Sequence, residues 1–137
     1  MKKLLLLLLF IPLVSLGQGN FKITSNNELV WEKIVDEDIK IESQEINLQS
    51  TTKKAIYLRD IKSAELIVQN KNGKTRFYVK NIKSKTPLDD EPDNIDGTVI
   101  NKNKGVFRKF FISRGDYKYL EESINNAINS LIEENAW

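Results

Sequence analysis

The chain has 137 residues, of which 21 are Lys or Arg and 19 are Asp or Glu, and it contains no His and no Cys. Without these two residue types there is no imidazole base, Ser-His pair, disulfide, zinc–thiolate site or thiol nucleophile. The sequence also lacks a catalytic or cofactor motif, so it indicates a protein that is not an enzyme and uses no cofactor and no metal.

Residues 1–17 have the pattern of a cleavable secretory signal peptide. Two lysines precede an uncharged apolar run from Leu4 to Val14, and small residues at positions 15 and 17 follow it. We expect cleavage after Gly17, with a cut after Gly19 as the alternative, and a mature domain of residues 18–137 in the periplasm or outside the cell. A membrane anchor is the competing interpretation, but a spanning helix needs about 20 apolar residues. A lipoprotein is excluded because no cysteine can carry the lipid.

Removal of residues 1–17 takes away two of the 21 basic residues and none of the 19 acidic ones, which leaves a net charge of zero. A neutral domain has no overall field that attracts nucleic acid or anionic lipid. We therefore expect no nucleic-acid partner. No later apolar run approaches the length of a spanning helix, so we also expect no transmembrane segment after cleavage. Basic residues are concentrated at 53–85 and acidic ones at 28–45 and 89–96. Solvated faces explain this pattern, and a bipolar docking surface is the alternative.

Alternating apolar residues predict the first strand at 28–36. One side of this strand carries Leu29, Trp31 and Val35, with Lys33 among them. Apolar residues at 39–41 and 46–48 alternate in opposite phases, which predicts a bulge or a break near residues 43–45.

A β-hairpin is predicted from two strands at 64–69 and 74–82, joined by the loop Asn70–Gly73. The Asn-Gly pair in this loop tolerates the positive φ angles that tight hairpin turns require. In the second strand, simple alternation places Phe77 and Val79 on one side, and on the other Tyr78, Lys80 and Ile82.

Residues 86–97 read as an acidic loop with two prolines and a glycine. A calcium loop is the alternative, but it would place Pro92 at its first position and Asn103 at its twelfth, where a carboxylate is needed. A short strand is predicted at 98–101, and residues 106–112 fit a strand or a helix equally.

The C-terminal segment predicts an amphipathic helix capped by Asp116. Apolar residues recur at steps of four, four and three along one stripe, which should pack on the sheet. They are Leu120, Ile124, Ile128 and Leu131.

Lys74, Arg76 and Lys80 alternate with aromatic and apolar residues in the second hairpin strand, and they are the candidate interaction surface. Stacking rings beside basic residues also suit nucleic acid, but export and zero net charge favour an ordinary two-faced strand. Trp31 and Trp137 suit carbohydrate binding, although Trp31 fits a core position better.

Three segments carry a resemblance to a known family: Glu28–Val35, Ala64–Ile82 with its glycine turn and Arg-aromatic strand, and the C-terminal helix that ends near Trp137. Together they resemble exported domains of unknown function, common in Bacteroidota, that have a TATA-binding-protein-like fold. The resemblance implies a single α+β domain, with an antiparallel β-sheet and the C-terminal amphipathic helix packed on one face. It implies no activity, and the fold name does not imply DNA binding.

These observations favour an exported, non-catalytic binding or protein-interaction module of the periplasm or cell envelope, whose partner is an envelope protein or a small ligand. One alternative is a small hydrolase that uses carboxylates, which predicts a cleft holding two acids or a lysine with a shifted pKa. A second alternative is a protein that adds a strand to a partner's sheet, which predicts an exposed and uncharged edge strand.

Overall fold

A computed structural model describes residues 19–48, 60–85, 90–113 and 116–135, and the predicted signal peptide lies outside them. The described chain forms a single α+β domain, as the sequence predicts. Its elements in chain order are β1 (Asn20–Ile23), β2 (Leu29–Val35), β3 (Gln44–Asn47), β4 (Asp60–Lys71), β5 (Lys74–Lys85), β6 (Asp93–Asn94), α1 (Asp96–Val99), β7 (Ile100–Asn101), β8 (Val106–Phe107), α2 (Lys109–Ser113) and α3 (Asp116–Glu134).

The main sheet is antiparallel, with the strand order β1-β2-β5-β4-β3. Strand β4 lies along one side of the central strand β5. Along the opposite side, β2 pairs with residues 75–80 of β5 and β6 pairs with residues 83–84. The two strands therefore lie end to end beside β5. Residues 81 and 82 of β5 lie opposite the gap between them. Strands β7 and β8 pair with each other in a separate ribbon.

Alternate residues of the strands form an apolar inner face. Trp31 lies opposite Val79, and Val79 lies opposite Leu66. All three side chains are buried in the core cluster, together with Leu120, Ile124 and Ile128 of α3. The predicted helix stripe therefore packs on the sheet as expected, and the burial of Trp31 rules it out as a carbohydrate platform. No helix in the described part of the chain has the length and apolarity needed to cross a membrane.

The predicted hairpin is present as β4 and β5, and its turn is tighter than the sequence suggested. The strands pair as far as Lys71 and Lys74, so only Asn72 and Gly73 lie between them. Their φ angles of 52° and 77° are both positive, as a two-residue hairpin turn matched to the strand twist requires.

Two bulges shift the register between β4 and β5. At the first shift, residues 61 and 63 of β4 pair with residues 84 and 83 of β5, so the extra residue is in β4. At the second shift, residues 63 and 65 of β4 pair with residues 83 and 80 of β5, so the extra residue is in β5. The extra residue in β5 lies at Asn81, whose φ angle is 51°. Asparagine adopts this left-handed conformation more readily than most residues.

The bulge overturns one prediction. Simple alternation placed Ile82 on the same side as Tyr78 and Lys80, but Ile82 is fully buried in the core cluster. The extra residue at Asn81 reverses the phase of the strand, because successive side chains point to opposite faces.

Other predictions differ from the structure at short elements. The strand β1 was not predicted, and the predicted strand at 98–101 is the end of α1 followed by β7. The ambiguous segment 106–112 divides into β8 and the start of α2. The break predicted near residues 43–45 lies earlier in the chain, since residues 36–43 form an irregular segment and residues 44 and 45 already belong to β3.

The connection from β2 to β3 is tied to the hairpin by the buried side chain of Thr75. Its hydroxyl donates to the carbonyl of Glu37 (2.7 Å) and accepts from the amide of Ile39 (2.7 Å). Asn70 donates to the same hydroxyl (2.8 Å) and to the carbonyl of Ile39 (3.0 Å). These bonds satisfy backbone groups that no strand partner reaches.

Lys33 lies on the inner face and is 2 % exposed. Its ammonium donates a hydrogen bond to the side-chain oxygen of Asn129 on α3 (3.3 Å). Burial disfavours the charged amine and lowers the pKa of Lys33 to about 8. At neutral pH the folded protein therefore holds an ammonium group against a neutral amide rather than a carboxylate.

We predict that Lys33→Met stabilises the protein at pH 7 by about 1–3 kcal/mol, because it replaces a buried charge with an apolar side chain of similar length. The unfolded amine keeps its proton up to about pH 10.5, whereas the folded amine loses it near pH 8. The wild-type protein therefore gains stability relative to the variant as the pH rises from 8 to 10.5, and the difference in their free energies of unfolding narrows. Urea unfolding at several pH values measures this difference.

Lys40→Met is the control, because Lys40 is exposed on the connection before β3. It should change stability little at any pH in this range. A Lys33→Met variant that is less stable than the wild type at pH 7 would show that the amine contributes more to folding than its burial costs.

Candidate functional site

The strand residues that alternate with the core residues form the outer face of the sheet. Its middle rows run across the strands through Glu32, Tyr78 and Ile67, and through Ile34, Arg76 and Gln69. Most of these side chains are half-buried or exposed, in contrast to the inner face. The outer face therefore carries most of the accessible charged and polar side chains of these strands.

The three basic residues predicted as an interaction surface, Lys74, Arg76 and Lys80, all lie on the outer face of β5. The structure divides them between two neighbourhoods. Lys74 and Arg76 line a groove beside the hairpin turn, and Lys80 lines a separate pocket near the bulge.

Arg76 is held in place by several partners. Its guanidinium forms an ion pair with Glu32 and donates to the side-chain oxygen of Gln69 (2.8 Å). It also lies over the ring of Tyr78, 4.4 Å from the ring centroid, a favourable cation–π arrangement. Lys22 of β1 contacts the same carboxylate. Arg76 is therefore an ordered side chain rather than a freely moving surface charge.

Glu32 links the cations of β1 and β5. Hydrogen bonds from Lys22 and from Arg76 hold the pKa of the Glu32 carboxyl below its usual range, against the opposing effect of desolvation. The carboxylate is therefore ionised at neutral pH, and it binds two cations that would otherwise repel each other.

A groove of about 570 Å³ lies beside this cluster, and we call it the hairpin groove. Its apolar element is Ile34, a large hydrophobic side chain that is 55 % exposed. Polar and basic residues line the remainder: Gln69, Asn70, Lys71, Asn72, Lys74 and Arg76. The groove combines an apolar anchor point with a basic rim.

A second cavity, of about 200 Å³, lies where β2 and β6 meet beside the bulge, and we call it the carboxylate pocket. It is lined by Glu28, Glu65, Lys80, Asn81, Asn94 and Asp96. Lys80 lies directly opposite Glu65 in the register of β4 and β5. The bulge places Asn81 beside the gap between β2 and β6.

Hydrogen bonds connect the pocket residues from α1 to β4. The amide of Asp96 donates to the side-chain oxygen of Asn94 (2.6 Å), and Asn94 donates to the side-chain oxygen of Asn81 (2.9 Å). Asn81 in turn donates to a carboxylate oxygen of Glu65 (3.4 Å). Each asparagine oxygen therefore accepts one bond within this chain, and the carboxylates are the charged acceptors of the pocket.

Asp96 is the buried acid of the pocket, with an exposed fraction of 6 %. Desolvation raises its pKa, with a smaller contribution from the charge of Glu28. A hydrogen bond from the backbone of Leu29 and the charge of Lys102 act in the opposite direction. One carboxylate oxygen, Oδ1, is buried and has no hydrogen-bond partner among the described residues.

Sequence reasoning identified Lys80 but missed the acids around it. Glu28, Glu65 and Asp96 come from three distant parts of the chain, and they meet only because the bulge allows two short strands to share one side of β5. The segment 86–97 was predicted as a solvated acidic loop, but its described part contains β6 and the start of α1, and its last acid, Asp96, is buried beside the pocket. Across the described ranges, no group of three or more acidic side chains is arranged to hold a metal ion.

Comparisons of the chain with protein-family models, with curated proteins and with solved structures find no match. The site is therefore interpreted from its own geometry.

We predict that Glu32→Gln lowers the free energy of unfolding at pH 7 by about 1–2 kcal/mol, because charged hydrogen bonds to Lys22 and Arg76 are weakened. The folded pKa of Glu32 is depressed, so its contribution is complete above pH 4.5 and is lost as the pH falls through the folded value. The stability difference between variant and wild type should therefore close in acid, as measured by urea unfolding.

Glu45→Gln is the matched control. Glu45 lies on the same sheet but is exposed on the edge strand β3. Its replacement should shift stability by less than about 0.5 kcal/mol at pH 7. Equal effects of the two variants would show that the cluster around Glu32 gives no special stability.

Proposed function

We propose that the chain is an exported, non-catalytic interaction module that binds a protein of the periplasm or cell envelope through the hairpin groove. The observation that carries this proposal is the combination of a fixed arginine, an exposed isoleucine and two further lysines in one groove. The partner segment has acidic residues and an apolar side chain that packs on Ile34.

The fixed position of Arg76 supports this proposal. Arginine and tyrosine are enriched at the energetic centres of protein interfaces. A side chain that is already held by Glu32 and stacked on Tyr78 loses little conformational entropy when a partner binds. Arg76 is compensated by Glu32. Among the described residues Lys71 has no acidic partner, and Lys74 makes an exposed contact with Asp36 (3.7 Å).

Charge complementarity indicates an acidic partner. Lys71 and Lys74 pair with each other across the turn, and Ile34 of β2 lies opposite Arg76 in the same groove. An acidic segment would be attracted to the lysines, and its apolar side chain would remove Ile34 from water. Since the mature chain has no net charge, such attraction is local to this groove.

We predict that a photo-crosslinking amino acid at position 34 captures a discrete envelope protein when the full chain is expressed in its native cells. Lys71→Glu with Lys74→Glu should reduce the crosslinked product about tenfold or more, because the two substitutions turn attraction into repulsion. Mass spectrometry identifies the partner and the crosslinked peptide, which should contain acidic residues.

Lys102→Glu with Lys104→Glu is the control, since it makes the same charge change in an exposed turn outside the groove. Its crosslinking should match that of the original protein. Loss of the product in both double variants would show that capture depends on the total charge of the protein rather than on the groove. Absence of any product at position 34 would overturn the proposed groove.

The finer family assignment is part of this proposal. The antiparallel sheet, the glycine turn and the helix on one face support the resemblance to exported Bacteroidota domains with a TATA-binding-protein-like fold. Strand addition to a partner's sheet has less support. The edge strands β1 and β3 both carry a charged residue, Lys22 and Glu45, and such charges protect edges from pairing.

A hydrolase that uses carboxylates remains the alternative, and the carboxylate pocket is the observation in its favour. At about 200 Å³ the pocket is smaller than the roughly 300–1,000 Å³ of typical small-molecule sites. We expect wild-type protein and Asp96→Asn to hydrolyse chromogenic ester, phosphate and glycoside substrates at the same background rate. A rate that falls in Asp96→Asn would favour the hydrolase.

A further inference from the structure

The tip of the β4–β5 hairpin presents a reactive pair of residues to solvent. Asn72 and Gly73 are the two residues between the paired positions Lys71 and Lys74, and all four are exposed. A Cβ atom placed on Gly73 would meet no atom beyond its chain neighbours within 4 Å. Water therefore has open access to the peptide bond between Asn72 and Gly73.

This pair is the sequence context in which asparagine is chemically least stable. The backbone nitrogen of the next residue can attack the side-chain amide, which makes asparagine a thermolabile residue. A side chain on that next residue hinders the attack, whereas glycine has none. Of the asparagines in this sequence, Asn72 alone precedes a glycine. The chain therefore carries one asparagine with an unhindered neighbouring amide.

Neither reacting group of the pair is held by the folded protein. Within the described part of the chain, the amide of Gly73 and the side chain of Asn72 have no hydrogen-bond partner. Asn70 on the same hairpin is different, because its side-chain amide donates to three oxygen atoms of neighbouring residues. The two groups at the tip can therefore meet without breaking a hydrogen bond between protein groups.

The tip also belongs to the hairpin groove. Asn72 lines the groove together with Lys71 and Lys74, which form part of its basic rim. The Asn72 amide is neutral, so a carboxylate in its place would lie between two lysines in the sequence of the turn and offset part of their charge. An acidic partner would then meet a weaker attraction and an additional negative charge.

We propose that Asn72 is a self-modification site, which deamidates in the folded protein and thereby weakens the binding of an acidic partner to the hairpin groove. The Gly73 nitrogen bonds to Cγ of Asn72, and the Cγ–Nδ2 bond breaks. The displaced NH₂ group takes up the proton of the Gly73 amide and leaves as ammonia. Water then opens the cyclic imide at one of its two carbonyls, which gives aspartate or isoaspartate at position 72.

The reaction consumes water, releases ammonia and needs no enzyme, oxidant or cofactor. Isoaspartate also adds an atom to the main chain, which disturbs the fit of a two-residue turn between the paired strands. Because the loss of ammonia is effectively irreversible, the groove loses affinity as the protein ages. The effect on binding rests on the proposed function of the groove, whereas the reaction itself does not.

The test of the reaction is peptide mapping of the purified protein, obtained by export of the full chain and incubated in its folded state in H₂¹⁸O at neutral pH. Mass spectrometry should show the mass increase of deamidation, with ¹⁸O incorporated, at Asn72. Asn103 is the internal control, because it lies exposed in another turn but precedes Lys104. Conversion at Asn72 should be about tenfold faster or more, since its neighbouring amide is unhindered. Asn72→Gly, which allows a positive φ angle in the turn, should show no conversion at this position.

The test of the effect on binding uses the crosslinking amino acid at position 34. Asn72→Asp supplies the deamidated residue directly and should reduce the crosslinked product about two- to fivefold, as expected for one exposed charge. Asn72→Gly should crosslink as the original protein does. Asn103→Asp is the matched control, since it makes the same charge change in an exposed turn outside the groove, and its crosslinking should be unchanged.

Each half of the proposal has its own contradicting result. Conversion at Asn72 that is absent, or no faster than at Asn103, would show that the folded turn does not react. Unchanged crosslinking in Asn72→Asp, or an equal loss in Asn103→Asp, would show that the reaction does not regulate the groove. If no variant gives a crosslink at position 34, the proposed function fails and the regulatory half fails with it, while the mass increase at Asn72 still decides the reaction.

Discussion

The bulge at Asn81 is the constraint on which the rest of the sheet depends. It inserts one residue into the central strand, where the backbone adopts a φ angle of 51°. The insertion returns Ile82 to the core and turns Asn81 toward the gap between β2 and β6. Ile95 then donates its amide to the carbonyl of Ile82 (2.9 Å), which fixes the segment that carries Asp96. One irregular residue thus completes the core on one face and forms the carboxylate pocket on the other.

Charged side chains have different surroundings on the two faces of the sheet. On the inner face, the partner of Lys33 among the described residues is the Asn129 amide, and burial lowers the pKa of Lys33. On the outer face, Glu32 compensates both Lys22 and Arg76, so that these charges are ordered without being deeply buried. Ordered and partly exposed charges suit recognition, because a partner meets them already in position. We therefore propose the outer face as the face of recognition.

Local signals in the sequence were sufficient for the hairpin and for the C-terminal helix. The Asn-Gly pair specifies the turn through backbone conformation alone, and the stripe from Leu120 to Leu131 follows from helical spacing. The phase of β5 could not be predicted, because asparagine tolerates a left-handed conformation without requiring one, and most asparagines in strands do not mark a bulge. The pocket acids could not be grouped either, because Glu28, Glu65 and Asp96 meet through strand pairing across most of the chain.

Both candidate sites use the same strand, yet they can act independently. Arg76 and Lys80 are four residues apart on β5, which corresponds to roughly 13 Å along an extended strand. Charges at this separation on an exposed face lie beyond the screening length of about 8 Å at physiological ionic strength. A partner bound in the hairpin groove would therefore act on the carboxylate pocket mainly by covering it. Tyr78 lies between the hairpin groove and the carboxylate pocket on the same face. An effect of one site on the other would therefore pass through contacts with the Tyr78 ring rather than through long-range electrostatics.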